Sequence, residues 1–143
     1  MDFDLLRAQV LQVNKAFYDA VYRDEWLRQI FADVKQAHIE QQQTDFMLGA
    51  FGGPKNYSGR SPIDAHPHIF VTEEMWQLRE KYLKQAFVAT NFPEDLRAKW
   101  IKIDEAFKHA IVKKSPEECK KRYTMDAIVN VPNPASPGYK KAS

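Results

Sequence analysis

The 143-residue chain is poor in cysteine, in long apolar runs and in charge of one sign. Cys119 is the single cysteine, so an internal disulfide is excluded, and we interpret this residue as an ordinary free thiol. No apolar run reaches the ~18 residues of a membrane span, and the acidic start, Met1 to Asp4, is unlike a signal peptide. Lys and Arg number 21 against 19 Asp and Glu, without a dense basic run. We therefore expect a cytoplasmic protein that binds neither nucleic acid nor membranes.

Glycine is also scarce, and its placement divides the chain. Four of the five glycines lie between positions 49 and 59, and none comes earlier. Elsewhere apolar residues recur every three or four positions, which is the spacing of one helix face. No useful stretch alternates as a strand would, so we predict an all-α fold. The longer helices are expected over about 3–21, 33–51, 72–89 and 93–111, with caps at Asp33 and Thr72 and a stop at Gly52-Gly53-Pro54.

Two segments are expected to be irregular. Residues 54–71 contain three prolines and Gly59, which predicts a long connection with one helical turn near 61–65. A connection of that length in a small domain usually has a function. Ser115 should begin a short helix, and the proline-rich stretch from Val131 predicts a mobile tail. We accordingly divide the chain into a domain over 1–114 and an extension over 115–143.

Polar residues interrupt the apolar faces of two predicted helices. Gln43 lies between Ile39 and Phe46 on one helix, and Tyr18 lies beside the buried face of the first. Buried polar groups need partners, so each residue alone could be a satisfied core hydrogen bond or half-exposed. Taken together with the histidines of the long connection, they suggest a pocket.

The four histidines do not form a metal motif by spacing alone. His66 and His68 are two residues apart with no cysteine nearby, which supports zinc only weakly. His38 and His109 fall on predicted helices among polar neighbours, where surface imidazoles are the better interpretation.

A longer motif extends through several of these residues. It consists of Phe17-Tyr18, Asp24, Phe31, Gln43, Gly52-Gly53-Pro54 with Tyr57, Gly59-Arg60-Ser61-Pro62, His66 and Val71-Thr72. This order of residues resembles the truncated haemoglobins, the globins with a two-over-two helical sandwich. The resemblance extends from about Leu6 to Ala89, and more loosely to Val112. It implies a haem b cofactor and binding of a diatomic gas such as O₂, NO or CO, with oxygen transport as one role.

The resemblance also implies roles for single residues. His66 matches the proximal ligand of the haem iron, with His68 as the alternative, and Tyr18 and Gln43 match the distal pair that hydrogen-bonds the gas. Ile39 falls where many globins keep a distal histidine, and His38 is one residue away. The remaining residues expected around the cofactor are Phe17, Phe31, Phe46, Tyr57, Arg60, Met75 and Arg79.

Three features depart from the family pattern. The glycine pair usual between the first two helices is missing, which questions whether those helices are separate. Pro67 directly follows the implied ligand and should end the short helix there. Arg79 stands where the family more often has an apolar residue, so either the helix has another register or Arg79 reaches a haem propionate.

Three other functions stay open at this point. NO dioxygenation would be an enzymatic activity of the same haem, and it would need a reductase partner to return ferric iron to the ferrous state. A haem-less globin-like sensor or scaffold would use the same fold without a cofactor. An unrelated helical interaction module would need neither the globin fold nor haem.

Overall fold

The computed structural model describes residues 2–136, which form a helical fold. The five α-helices are α1 (Phe3–Arg23), α2 (Gln36–Ala50), α3 (Pro62–Ala65), α4 (Glu73–Ala89) and α5 (Glu94–Ile111). Short 3₁₀ helices cover Leu27–Phe31 and Pro116–Glu118. Between residues 2 and 136 the only β-type pairings are two isolated bridges, Ile69 with Val129 and Val71 with Val112. The expectation of an all-α fold is confirmed.

None of the helices in this part of the chain has the length and apolarity to cross a membrane.

Helix α1 is continuous for 21 residues, so the two helices that the family pattern separates are one here. Asp2 caps it by accepting hydrogen bonds from the backbone N–H groups of Asp4 and Leu5. The helix packs against α2 and α4. A buried polar contact joins α1 to α2, because the Asn14 amide donates to the Thr44 hydroxyl at 3.0 Å.

The apolar core continues between α4 and α5 as a cluster of aromatic rings. Phe87 stacks on Phe92 with ring centroids 5.6 Å apart, and Trp100 meets both rings edge-on at 5.4 and 5.8 Å. All three side chains are buried. Rings that pack in this way add to the stability that burial of their area provides.

Most predicted helix boundaries are confirmed, but the start of α2 is not. Asp33 does not cap this helix, which begins at Gln36 with Lys35 as its N-cap. The reason is that residues before it are already engaged: Val34 N–H donates to the Phe31 carbonyl at 3.0 Å, and the Val34 carbonyl accepts from Tyr22 Oη at 2.8 Å.

The other helix-end predictions hold. Gly52 takes a left-handed backbone with φ of 91° just past α2, which other residues adopt only with strain. Ser61 caps α3 and Thr72 caps α4 through their side-chain oxygens. Helix α3 ends at Ala65, one residue before His66 and Pro67, as the proline predicts.

Asp24 joins the end of α1 to two other elements. Its Oδ1 accepts from the backbone N–H groups of Trp26 at 2.9 Å and Leu27 at 2.8 Å, which starts the 3₁₀ helix. Its Oδ2 accepts from the hydroxyl of Tyr82 on α4. Burial and this hydrogen bond raise the pKa of Tyr82 to about 12.

Replacing Tyr82 with Phe should therefore lower the free energy of unfolding by about 1.5–3 kcal/mol, since a hydrogen bond to a charged group is lost. Urea unfolding of the haem-free protein measures this value. The matched control is Tyr123→Phe, because Tyr123 is 53% exposed. Its change should stay within about 0.5 kcal/mol. Equal losses in the two variants would contradict the role given to Tyr82.

The residues after α5 fold back onto the helices. Trp26 Nε1 donates to the Val131 carbonyl at 3.4 Å, and Gln29 Nε2 donates to the Pro132 carbonyl at 2.9 Å. We expected a mobile tail from Val131, but its first two residues make hydrogen bonds with Trp26 and Gln29. The last part of the tail, residues 137–143, lies outside the described residues. The division of the chain after residue 114 stays a prediction.

Candidate functional site

Tyr18 lies at the centre of an aromatic group at the buried side of α1. The Tyr18 ring meets three other rings edge-on, with centroids 4.8 Å from Phe17, 5.9 Å from Phe31 and 6.4 Å from Tyr22. Only 5% of Tyr18 is exposed. The structure therefore brings together the expected residues Tyr18 and Phe31, which come from α1 and from the 3₁₀ helix.

The Tyr18 hydroxyl and the Gln43 amide have unused hydrogen-bonding capacity. Neither group takes part in a hydrogen bond among residues 2–136, although Tyr18 is buried and Gln43 is half-buried. Burial raises the pKa of Tyr18, with the nearby Arg79 charge opposing the rise, so the hydroxyl keeps its proton at neutral pH. Both side chains are consequently available as donors to a bound molecule.

His66 occupies the C-cap of α3 and is half-buried. Its Nδ1 lies 2.7 Å from the Pro62 carbonyl oxygen. Because a carbonyl can only accept, Nδ1 must carry the hydrogen, which leaves the lone pair of the neutral ring on Nε2. Burial lowers the pKa of His66 to about 4, with the Pro62 hydrogen bond opposing the shift. At neutral pH the side chain is a neutral imidazole with Nε2 open to a metal ion.

His68 differs from His66 in its burial and in the hydrogen bonding of its ring. It is 8% exposed, and its Nδ1 is sealed from solvent without a hydrogen-bond partner among the described residues. Burial lowers its pKa as well. Within residues 2–136 no carbonyl fixes the tautomer of His68 in the way that Pro62 fixes that of His66, so the geometry for a metal ligand favours His66.

The other expected pocket residues fall into two groups. Phe46 packs against Tyr57 at 5.4 Å and against Phe107 of α5 at 6.1 Å between centroids, while Met75 is 2% exposed and Ile39 packs on the core. A second group lies at the surface. His38 and Arg60 are both exposed, and the Arg60 guanidinium lies 5.9 Å from the Tyr123 ring. The surface interpretation of His38 agrees with this position, whereas an approach of its ring to a cofactor does not.

Arg79 forms an ion cluster between α4 and α5. Its Nη1 donates to Asp104 at 2.9 Å and to Glu80 at 3.0 Å. The Arg79 Cζ atom lies 5.5 Å from the Phe17 ring centroid and 5.0 Å from that of Trp76. Nε and Nη2 donate no hydrogen bond among residues 2–136, so that edge of the guanidinium could bind a carboxylate. Helix α4 begins and ends where the sequence predicts, and contact of Arg79 with a propionate stays a prediction.

Replacing Arg79 with Met should lower the free energy of unfolding by up to about 3 kcal/mol at pH 7, because two partly buried carboxylates lose their cation. Burial already raises the pKa of Asp104 and of Glu80 against the effect of Arg79. Without the guanidinium both pKa values rise further, so the folded state binds more protons than the unfolded state. The loss should therefore be smaller at pH 4 than at pH 7.

Urea unfolding of the haem-free variant at the two pH values measures this difference. Arg7→Met is the matched control, since Arg7 pairs with Asp45 at 2.8 Å with both side chains about one-third exposed. That surface pair should contribute about 0–1 kcal/mol. A loss in Arg79→Met that is the same at pH 4 and pH 7 would show that the ion pairs are not its cause.

Comparison with known proteins decides the family. The sequence profile of the bacterial-like globins matches residues 4–113. The chain belongs to the bacterial-like globin family. This globin is 38% identical to the group 1 truncated haemoglobin of Tetrahymena pyriformis over 50 residues, which are 35% of this chain and 41% of that protein. It is 39% identical to the group 1 truncated haemoglobin of Synechocystis over 59 residues, 41% of this chain and 47% of that one. The globin thus spans less than half the length of the curated relatives it matches.

Solved structures give the same fold. Two crystal structures of the truncated haemoglobin from Tetrahymena pyriformis in the Fe(III) form, one a glutamine-to-glutamate mutant and one a tyrosine-to-phenylalanine mutant, each align with a TM-score of 0.65. Each alignment covers 73% of this globin and 90% of that chain, with 22% and 21% identity. The resemblance to the truncated haemoglobins and the globin fold are confirmed.

Membership of the globin family implies a haem cofactor, and the residues present fit one. His66 offers an open Nε2 on a neutral ring, while the Tyr18 hydroxyl is a buried donor without a partner among the described residues. Sequence reasoning missed two charged residues around this site, Asp104 and Lys113. Asp104 follows Trp100 by four positions, so it lies on the apolar face of α5. A carboxylate at such a position needs a buried partner, and this was the signal that could have identified Asp104.

Proposed function

We propose that this globin binds haem b through His66 and holds O₂, or another diatomic gas, on the side of Tyr18 and Gln43. The observation that supports this most is the hydrogen bond between His66 Nδ1 and the Pro62 carbonyl at 2.7 Å. When bound, haem would supply an iron that can take a neutral imidazole from the protein and bind a diatomic gas. The protein's own task on the proximal side is to hold a neutral ring with Nε2 facing the cofactor.

On the distal side the protein offers hydrogen-bond donors to the gas. Bound O₂ gains partial negative charge, whereas CO carries little, so a donor favours O₂ over CO. The Tyr18 hydroxyl keeps its proton because burial raises its pKa. The rings of Phe17 and Phe31 pack against the Tyr18 ring, and a hydrogen bond in such an apolar environment is stronger than one in water.

The first test replaces the proposed ligand. His66→Ala should abolish or strongly weaken haem binding, because it removes the imidazole at the C-cap of α3. The Soret band of the haem-supplemented protein measures this loss. The control is His68→Ala, which should leave the ferrous spectrum nearly unchanged. The reverse result would transfer the ligand role to His68. If the wild-type protein shows no Soret band and no spectral shift on reduction under CO, haem binding is refuted. The chain would then be a haem-less globin.

The second test concerns the gas. Tyr18→Phe and Gln43→Leu should each speed O₂ release more than tenfold, because each removes a hydrogen bond of roughly 1.5–3 kcal/mol to a charged acceptor. CO release, measured by the same flash-photolysis or stopped-flow method, should change much less. The two side chains do not hydrogen-bond each other among the described residues, so non-additivity in the double variant would have to arise through the gas that both contact.

His38→Ala is the control for the distal assignment, because His38 is exposed on α2. It should leave O₂ release unchanged. A larger effect in His38→Ala than in Tyr18→Phe, or a ferric bis-histidine spectrum that His38→Ala removes, would contradict the roles of Tyr18 and Gln43.

NO dioxygenation with a reductase partner, oxygen transport and a cytoplasmic location stay predictions of the resemblance and the composition. A steady-state assay with NO and a chemical or enzymatic reductant would test the first of them.

A further inference from the structure

The segment that follows α3 takes its hydrogen bonds from the C-terminal part of the chain. Residues 66–69 are neither helical nor part of an extended strand, yet each of their four carbonyls accepts a hydrogen bond from a residue beyond α5. The donors are Lys113 Nζ to His66 at 3.0 Å and to Ile69 at 2.8 Å, Lys120 N–H to Pro67 at 2.7 Å, and Val129 N–H to His68 at 2.8 Å.

Lys113 is the central residue of this arrangement. It is 9% exposed, and its ammonium also donates to the Ile111 carbonyl at 3.0 Å. Three carbonyls therefore match the three N–H bonds of the ammonium group, and among the described residues no carboxylate pairs with it. The buried ammonium has only backbone carbonyls as partners among the described residues. If one carbonyl moved away, a buried N–H donor would lose its hydrogen bond and the folded state would be destabilised. The ammonium therefore fixes the positions of these carbonyls.

Backbone pairs extend the attachment on the other side of the segment. Phe70 N–H donates to the Val129 carbonyl at 2.8 Å, and Lys113 N–H donates to the Val71 carbonyl at 2.9 Å. Val129 thus exchanges two hydrogen bonds with the segment, one through each of its backbone groups.

The donor segment is itself held in place. Arg122 makes a two-point contact with Asp126, from Nε to Oδ2 at 2.8 Å and from Nη2 to Oδ1 at 2.9 Å, and Asp126 is 6% exposed. Trp26 donates to the Val131 carbonyl, and Gln29 donates to the Pro132 carbonyl. Residues 66–69 are therefore hydrogen-bonded to a part of the chain that is itself fixed. This restrains them more strongly than the four-residue helix α3 could.

We propose that residues 113–129 act as a clamp that positions His66 for the haem iron, with Lys113 as the positioning residue. This inference rests on the proposed function, since it assigns the clamp to the proximal ligand. It makes the C-terminal extension part of the cofactor site, so the site is not contained within residues 1–114.

The experiment uses the full chain with Lys113→Met, which keeps most of the aliphatic stem and removes the three donors. Transfer of haem to excess apomyoglobin should become about tenfold faster or more, given what hydrogen bonds to a charged group contribute. The iron–histidine stretching band of the ferrous protein should shift or broaden in resonance Raman spectra. In the haem-free protein, amide hydrogen exchange of residues 66–71 should rise. Lys114→Met is the matched control, because Lys114 is exposed and adjacent.

A second variant keeps the test decisive if Lys113→Met fails to fold. Val129→Pro removes the N–H that the His68 carbonyl accepts, and Val129→Ala retains that N–H while shortening the side chain. The proline variant alone should reproduce the faster haem release, the changed iron–histidine band and the faster exchange.

Three results would overturn the proposal in distinguishable ways. Unchanged exchange of residues 66–71 in both variants would show that no clamp exists. Faster exchange with an unchanged iron–histidine band would show a structural role that does not reach the ligand. Absence of haem uptake by the wild type would refute the proposed function and the ligand role of the clamp together, while the exchange data would still decide whether the clamp holds the segment.

Discussion

An irregular segment must find partners for its backbone groups outside regular secondary structure, and much of this globin's architecture follows from that constraint. Between Ala50 and Glu73 only the four residues of α3 are helical. Residues 54–60 are mostly exposed, so water can serve their backbone groups, whereas the residues after α5 supply the hydrogen bonds of residues 66–71. The implied haem ligand His66 is the first residue of the latter range. Its position thus depends on contacts that are distant in the sequence.

Three charged side chains inside the protein each make more than one polar contact. Asp24 accepts from two backbone N–H groups and one tyrosine, Lys113 donates to three carbonyls, and Arg79 binds two carboxylates. Such multiple contacts offset the cost of removing charge from water. They also join elements that the apolar core alone would leave free to slide, since hydrogen bonds are directional and hydrophobic contacts are not.

Much of the fold could be predicted from local patterns, because helix periodicity, capping residues and glycine stops act over a few residues. Thr72, Ser61 and Gly52 mark helix ends in the structure as they do in the sequence. The prediction that Asp33 caps α2 was wrong for a non-local reason. The hydroxyl of Tyr22 on α1 donates to the carbonyl of Val34, the residue after Asp33. Of the candidate site, the sequence motif indicated Tyr18 and Phe31, which do pack together. Their proposed roles toward haem stay predictions.

The sequence by itself determined the helical class, the ends of most helices and the family, because these depend on short-range spacing and on a motif read in order. Tertiary structure alone decided that Arg79 is paired with Asp104, 25 residues further along the chain, and that Lys113 donates to the His66 carbonyl from 47 residues away. No local pattern encodes such contacts. A buried polar group selects its partners from whatever the folded chain brings within hydrogen-bonding distance, and that proximity exists only after the helices have packed.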